Sequence, residues 1–239
     1  MGITVLDHDG PFTERDFLEL TPRHGHVELV EGTLLVGPMA GPEHGAAVAA
    51  VRAALEKALP EGLRVVGALP LRLGHDCVLV PDLMVARAVE EPDAAQEQEQ
   101  EPAPESADES AAEPEAAGDE SDAPDTDAPD ESAASTEEVA DPASDLLDCA
   151  DVLMVVDVVD RTHGITQRSF KPQLYARSRI PYAVLVDSAA REGSASMLIG
   201  GRHHEFARAG AGERLLLEEP FRVEIDLDAL GEAAAAADH

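Results

Sequence analysis

The sequence predicts an α/β fold, a mixed sheet flanked by helices, in one domain that a long acidic segment interrupts. Three observations predict it. Val152 to Val159 is an apolar run with apolar residues on both faces, as expected of a strand covered on both sides. His44 to Leu59 repeats apolar residues at 47, 48, 51, 55 and 59, the period of a helix with one buried face. Between Glu90 and Asp145 stand 22 Asp or Glu, no Lys or Arg, no aromatic residue, and Val139 as the one branched aliphatic.

The elements follow in order. Thr13 caps a short helix through Leu20, with Asp16 placed to return the capping-box bond. Val27 to Val30 and Thr33 to Val36 flank Glu31-Gly32 and read as a hairpin with a two-residue turn. A Gly- and Pro-rich loop leads to the helix that starts at His44. Arg64 to Leu69 and Leu71 to Leu73 are strand-like, and Val78 to Ala86 is a further strand carrying Pro81 and Asp82. After the strand at Val152, Ser169 to Ser178 reads as a helix, with Ser169 as cap and Pro172 in its first turn. Tyr182 to Val186 is a strand, and Ala195 to Ile225 holds short strand candidates separated by Gly and charged residues.

The acidic segment cannot bury enough apolar surface to offset the entropy of ordering it, roughly 1–2 kcal/mol per residue for the backbone. It is expected to be a disordered, self-repelling insertion over 90–145, in which prolines such as Pro102, Pro114 and Pro129 oppose a stable helix. Residues 1–89 and 146–230 then form one discontinuous domain, with a flexible tail over 231–239. Outside the insertion 27 acids stand against 17 bases, a net charge of −10. That excludes a strong global attraction for nucleic acid and leaves room for a local basic patch. Two cysteines, Cys77 and Cys149, are too few for a disulfide framework or a four-cysteine zinc site and read as small core residues. With no secretory signal at the start and no apolar run near the ~20 residues of a membrane span, a soluble cytoplasmic protein is expected.

Several side chains stand out against this background. Asp157 is a carboxylate inside the most apolar strand, which requires a partner, a metal or access to the sheet edge; the alternative is an acid that emerges at the strand end and caps the next loop. Asp82 follows Pro81 inside another apolar run, where proline marks an edge, a bulge or a break; the alternative is a plain turn. Lys171 is one of two lysines and falls in the stretch Arg161 to Val186, which has no acid and also holds Arg161, Arg168, Arg177 and Arg179. That stretch is the candidate phosphate-facing surface, or else an ordinary solvated helix face. Glu28 alternates with Val27 and Leu29, as on the wet face of a hairpin. His44 at a helix start reads as structural or as a donor to a site acid. His203-His204, adjacent on a strand, point to opposite faces and read as surface.

Taken together, Val27-Glu28 with Glu31-Gly32, Pro42-Glu43-His44, Val80-Pro81-Asp82-Leu83, Val155 to Val159 around Asp157, Lys171 to Ala176, and Ile180 to Asp187 resemble the bacterial Uma-two family. That family is a branch of the PD-(D/E)XK restriction-endonuclease superfamily. The resemblance runs from about Phe12 to Leu230 outside the insertion, carried by the order and spacing of the motifs. It implies a restriction-endonuclease-like core and a Mg²⁺- or Mn²⁺-dependent DNA endonuclease. Asp82 matches the aspartate of the Pro-Asp motif, and Asp157 the second acid, usually glutamate in the family. Lys171 matches a lysine moved from the strand to the following helix, where it would orient or help deprotonate the attacking water. Glu28 and His44 match an acid of the opening hairpin and a histidine after it. Asp82, Asp157 and Glu28 are thus the implied metal ligands, with His44 supporting them; Arg161 and Arg168, from the acid-free stretch, are the residues expected to meet DNA. Many such nucleases act as homodimers, which the resemblance extends to this chain. It departs at Asp160-Arg161-Thr162 and Gln167, where relatives carry other supporting residues. A weakened nuclease-fold module, acting as a regulatory or interaction protein through its insertion, is the alternative. The insertion joins the two strands that carry Asp82 and Asp157, so it is expected to be tethered near both and to compete with DNA for the basic stretch.

Overall fold

Glu31 and Gly32 both take positive φ, 49° and 75°, the twist that joins β1 (Val27–Val30) to β2 (Thr33–Val36) through a two-residue turn. Glycine is also needed there for space, because a Cβ would meet Pro11 Cβ at 2.6 Å. The computed structural model describes residues 10–24, 27–37, 40–88, 146–159 and 169–231. The acidic segment, Arg161, Arg168, Thr162, Gln167 and the tail beyond 231 lie outside the described residues.

α1 (Glu14–His24) opens with the capping box read from the sequence. The Thr13 amide and hydroxyl donate to Asp16 Oδ2 at 2.7 and 2.6 Å, and the Asp16 amide donates to Thr13 Oγ1 at 3.4 Å. The helix runs past Leu20 and through Pro22, since a proline near a helix end removes one hydrogen bond without stopping the backbone path. α2 (Pro42–Ala58) starts two residues earlier than its apolar period, with Pro42 in its first turn, Glu43 near its positive end and Lys57 near its negative end.

The strand expected over Val78 to Ala86 is two strands. β5 (Cys77–Leu79) and β6 (Leu83–Arg87) are separated by Val80-Pro81-Asp82 and belong to different sheets. Proline cannot donate to a ladder, so the chain leaves one sheet and enters the next at that point. Together with β3 (Leu63–Gly67), β4 (Leu71–Gly74), β7 (Leu147–Asp148), β8 (Val152–Val159), β9 (Tyr182–Asp187), β10 (Glu192–Ile199) and β11 (Arg202–Ala209), the described strands form two larger sheets. One has the order β2-β1-β5-β4-β7 and the other β11-β10-β9-β8-β6-β3. β8 and β9 are parallel and β6 and β8 antiparallel, so the second sheet is mixed, as expected. β12 (Arg214–Leu217) and β13 (Val223–Asp226) form a separate antiparallel pair.

The two-residue period of β8 sorts its side chains to two cores. Met154, Val156 and Val158 join Ala47, Val51 and Leu55 of α2 and the β12–β13 pair. Val155 faces the other way, toward Leu71, Leu79, Met84 and the helix α3 (Lys171–Arg177), which supplies Leu174 and Tyr175. α3 has Phe170 rather than Ser169 at its N-cap and no side-chain cap bond; Ser169 contributes its carbonyl, which accepts from Gln173 Nε2 at 2.9 Å. Pro172 at the helix start already removes one amide that a cap would have served.

The two ends that flank the acidic segment differ. Ala88 follows the whole of β6 beyond Asp82, roughly 16 Å of strand, and its amide donates to Gly62 O at 2.9 Å. Leu146 packs in the same apolar cluster as Val80, next to the start of that break. Among the described residues no helix is long and apolar enough to cross a membrane.

Candidate active site

The register of β6 on β8 pairs Leu83 with Val156 and Met84 with Val155. One further step sets Asp82 against Asp157. Asp157 lies on the face away from α2, because its neighbours Val156 and Val158 point to the α2 core, whereas Asp82 stands in the break before β6, within reach of His44 at the start of α2. The first acid is thus placed by the break at Pro81 and the second by strand periodicity. Val158, the residue after Asp157, donates its amide to Asp82 Oδ2 at 2.7 Å, and His44 Nε2 meets Asp82 Oδ1 at 2.8 Å. An ionised carboxylate only accepts, so a hydrogen bond here needs the His44 proton on Nε2. The His44 side chain is buried, whereas that of Asp82 is 20 % exposed, the most open of the group.

Behind Asp82 the cluster closes. Lys171 Nζ lies 2.7 Å from Glu28 Oε1, 3.3 Å from Asp157 Oδ1 and 3.4 Å from Val80 O. An ammonium has three protons, and these are three acceptors. Val80 serves twice, since its amide donates to Glu28 Oε1 at 3.1 Å. Tyr175 completes the set by donating its hydroxyl to Asp157 Oδ2 at 3.0 Å. Glu28, Asp157 and Lys171 are all buried, so Glu28 does not lie on a wet hairpin face; the five-stranded sheet is covered on the side from which it projects.

Three carboxylates here face one ammonium, and the proton affinities record the imbalance. Burial raises the carboxyl of Asp157 above the usual carboxylate range; Lys171 opposes this and Asp82 and Glu28 add to it. Burial alone would lower the Lys171 ammonium, but Asp157 and Glu28 outweigh that and hold it above its ordinary value. Burial and the same acids push the Tyr175 phenol well above its own. The two acids that raise the Lys171 ammonium also hold its Nζ in place, at 2.7 Å from Glu28 and 3.3 Å from Asp157. In charge and donor chemistry, all oxygen with surplus negative charge, the cluster fits a hard divalent ion. In spacing its acids fit the ammonium: among the described residues no three acid, His or Cys side chains stand close enough to hold a metal.

Glu28, His44, Asp82, Asp157 and Lys171, scattered along the sequence, thus meet in one cluster. The sequence missed the part of Tyr175 and of the Val80 and Val158 backbone. Tyr175 left a signal, four residues beyond Lys171 on a helix without acids. Arg177 of the basic stretch turns to Glu31 at 3.0 Å. His203 is half-buried, with Nε2 against Ile180 O at 2.9 Å, and is not a surface residue, while His204 is exposed. Cys77 packs in the core, where burial pushes its thiol up to about 11.

Comparison with known proteins adds to this geometry. Residues 15–109 match the model of the Uma2 family, described as "Putative restriction endonuclease". The sequence resemblance is borne out. The Uma2 match spans α1 to β6 and so includes Glu28, His44 and Asp82. The chain is also similar to a crystal structure described as a putative nuclease belonging to DUF820 from Anabaena variabilis ATCC 29413. That likeness has a TM-score of 0.58 at 14 % identity and covers 94 % of this chain and 99 % of the other. At that identity it shows a shared fold, which takes in the half that carries Asp157 and Lys171. No curated protein matches the chain.

Proposed function

We propose that the chain is a metal-dependent endonuclease that hydrolyses phosphodiester bonds of DNA in the cytoplasm, with Asp82 and Asp157 as its acids and Lys171 as a fixed cation. One observation carries the reading: the β6–β8 register sets Asp82 against Asp157, and α3 brings Lys171 to the same cluster. Asp82 and Asp157 would hold the ion, Mg²⁺ or Mn²⁺, with Glu28 as a further acid. When bound, such an ion lowers the pKa of its water and offsets charge on the phosphodiester.

The chain's own groups do the rest. Asp82, the most open acid, faces the substrate side. His44 fixes its rotamer through the 2.8 Å contact. Lys171 stays charged and offsets negative charge that develops on the attacked phosphate, as preorganised donors do. Glu28 holds the lysine in place. Arg161 and Arg168 are assigned to backbone phosphates on the acid-free stretch alone, and a homodimer would present two such sites to two strands.

Asp82→Ala tests the reading. Its side chain is partly exposed, so the fold should survive, while Mg²⁺- or Mn²⁺-dependent cleavage of supercoiled, linear and single-stranded DNA falls at least about a hundredfold. Wild-type protein that cuts none of these forms with either ion sinks the proposal. The position of Lys171 between Glu28 and Asp157 favours a second reading, a nuclease-fold module that acts through its acidic insertion. Calorimetry separates the two, because a protein that binds no divalent ion up to millimolar levels belongs to the second.

A further inference from the structure

Tyr175 sits in an apolar environment that asks for no hydroxyl. Its ring packs among Leu71, Leu79, Met84, Val155 and Ile180, where phenylalanine would fill the same space. A buried hydroxyl costs free energy unless it is bonded, and this one meets Asp157 Oδ2 at 3.0 Å. Lys171 meets the other oxygen, Oδ1, at 3.3 Å. The two donors stand four residues apart on α3, hence on one helix face, and together they engage both oxygens of a single carboxylate.

The two donors differ in kind. Lysine is a point charge on a flexible stem, and the terminal torsion of an aspartate is broad, so an ammonium attracts the carboxylate without fixing its plane. A phenol has two torsions and a rigid ring locked by packing. We propose that Tyr175 is a positioning residue that fixes the plane of the Asp157 carboxylate in the orientation in which it receives a divalent cation. The inference rests on the reading of the cluster as a cation site. Packing alone predicts a different result, a hydroxyl whose loss lowers stability and nothing else.

The test uses the full chain without DNA. Mn²⁺ is titrated into wild type, Tyr175→Phe, Asp157→Asn and the double variant by calorimetry. Tyr175→Phe is expected to weaken Mn²⁺ binding about tenfold or more, as loss of an outer partner of a metal ligand does. In the Asp157→Asn background it should cause no further loss, because the hydroxyl acts through that carboxylate. Equal affinity of Tyr175→Phe and wild type, or the same loss in both backgrounds, overturns the inference and leaves the cation site standing. Wild type that binds no ion overturns both.

A second measurement needs no variant at the position. The chain has two tyrosines, Tyr175 and Tyr182, so 3-fluorotyrosine labelling gives two ¹⁹F signals, assigned with Tyr182→Phe. Mg²⁺ should shift the Tyr175 signal saturably and leave that of Tyr182 in place. A silent Tyr175 signal in protein that binds Mg²⁺ by calorimetry overturns the positioning role.

Discussion

The two faces of β8, in the middle of the six-stranded sheet, are both buried and are built on opposite terms. Toward α2, Val156 and Val158 join Ala47, Val51 and Leu55 in one apolar cluster. Toward α3, the same strand presents Asp157 to Lys171 and Tyr175, with Glu28 arriving from another sheet. Each apolar side chain fully buried on the first face contributes about 1.5–3 kcal/mol. On the second face desolvation offsets attraction, so the ion pairs specify an arrangement more than they stabilise it. One strand thus divides an apolar packing face from a face that gathers charge.

Lys171→Met is the strongest way to break that contrast. It leaves Glu28 and Asp157 buried without a counter-charge, a loss of about 3–5 kcal/mol, read by urea unfolding at pH 7. The sign of its pH dependence follows from the raised ammonium. A raised folded value means that the stabilisation is fully present below the unfolded lysine value, roughly 10.4, and is lost as pH rises through the folded one. The difference between wild type and variant should stay flat from about pH 7 to about pH 10 and shrink above. A variant as stable as wild type would show that the acids are neutralised by other means.

Met154→Ala sharpens the contrast from the other side. It opens a cavity against α2 at a cost of about 2–5 kcal/mol, yet the folded fraction should keep its divalent-ion affinity. A matching fall in affinity would mean that the faces are coupled. The smallest effect belongs to the insertion. Deleting residues 92–142 removes 19 acids and should raise DNA affinity a few-fold at low salt and little at physiological salt, where exposed charges are screened beyond about 8 Å. Unchanged affinity at low salt would make the segment a passive linker.

Local signals in the sequence carried the local structure. Thr13 with Asp16, Glu31 with Gly32, and the apolar period of α2 each fix their element through neighbours a few residues away. Asp157 was legible as a problem, a charge in an apolar strand, and the family resemblance supplied its partners. What stayed hidden depends on distant pairing. Pro81 signals a break, but which sheet each half joins is decided by β1 and β8. Glu28 alternates as a wet-face residue does, and alternation states that a strand has two faces without saying which is covered. Ser169 has the chemistry of a cap, but Phe170 takes the N-cap position.

The break at Val80-Pro81-Asp82 bears on how the chain matures. Groups from positions 28, 80, 82, 157, 171 and 175 converge there, so local pieces cannot assemble the centre in advance, and such long-range closure is slow. During synthesis from the N-terminus, a growing chain that ends before α3 owns all three acids and lacks the one cation that lets them share a dry space.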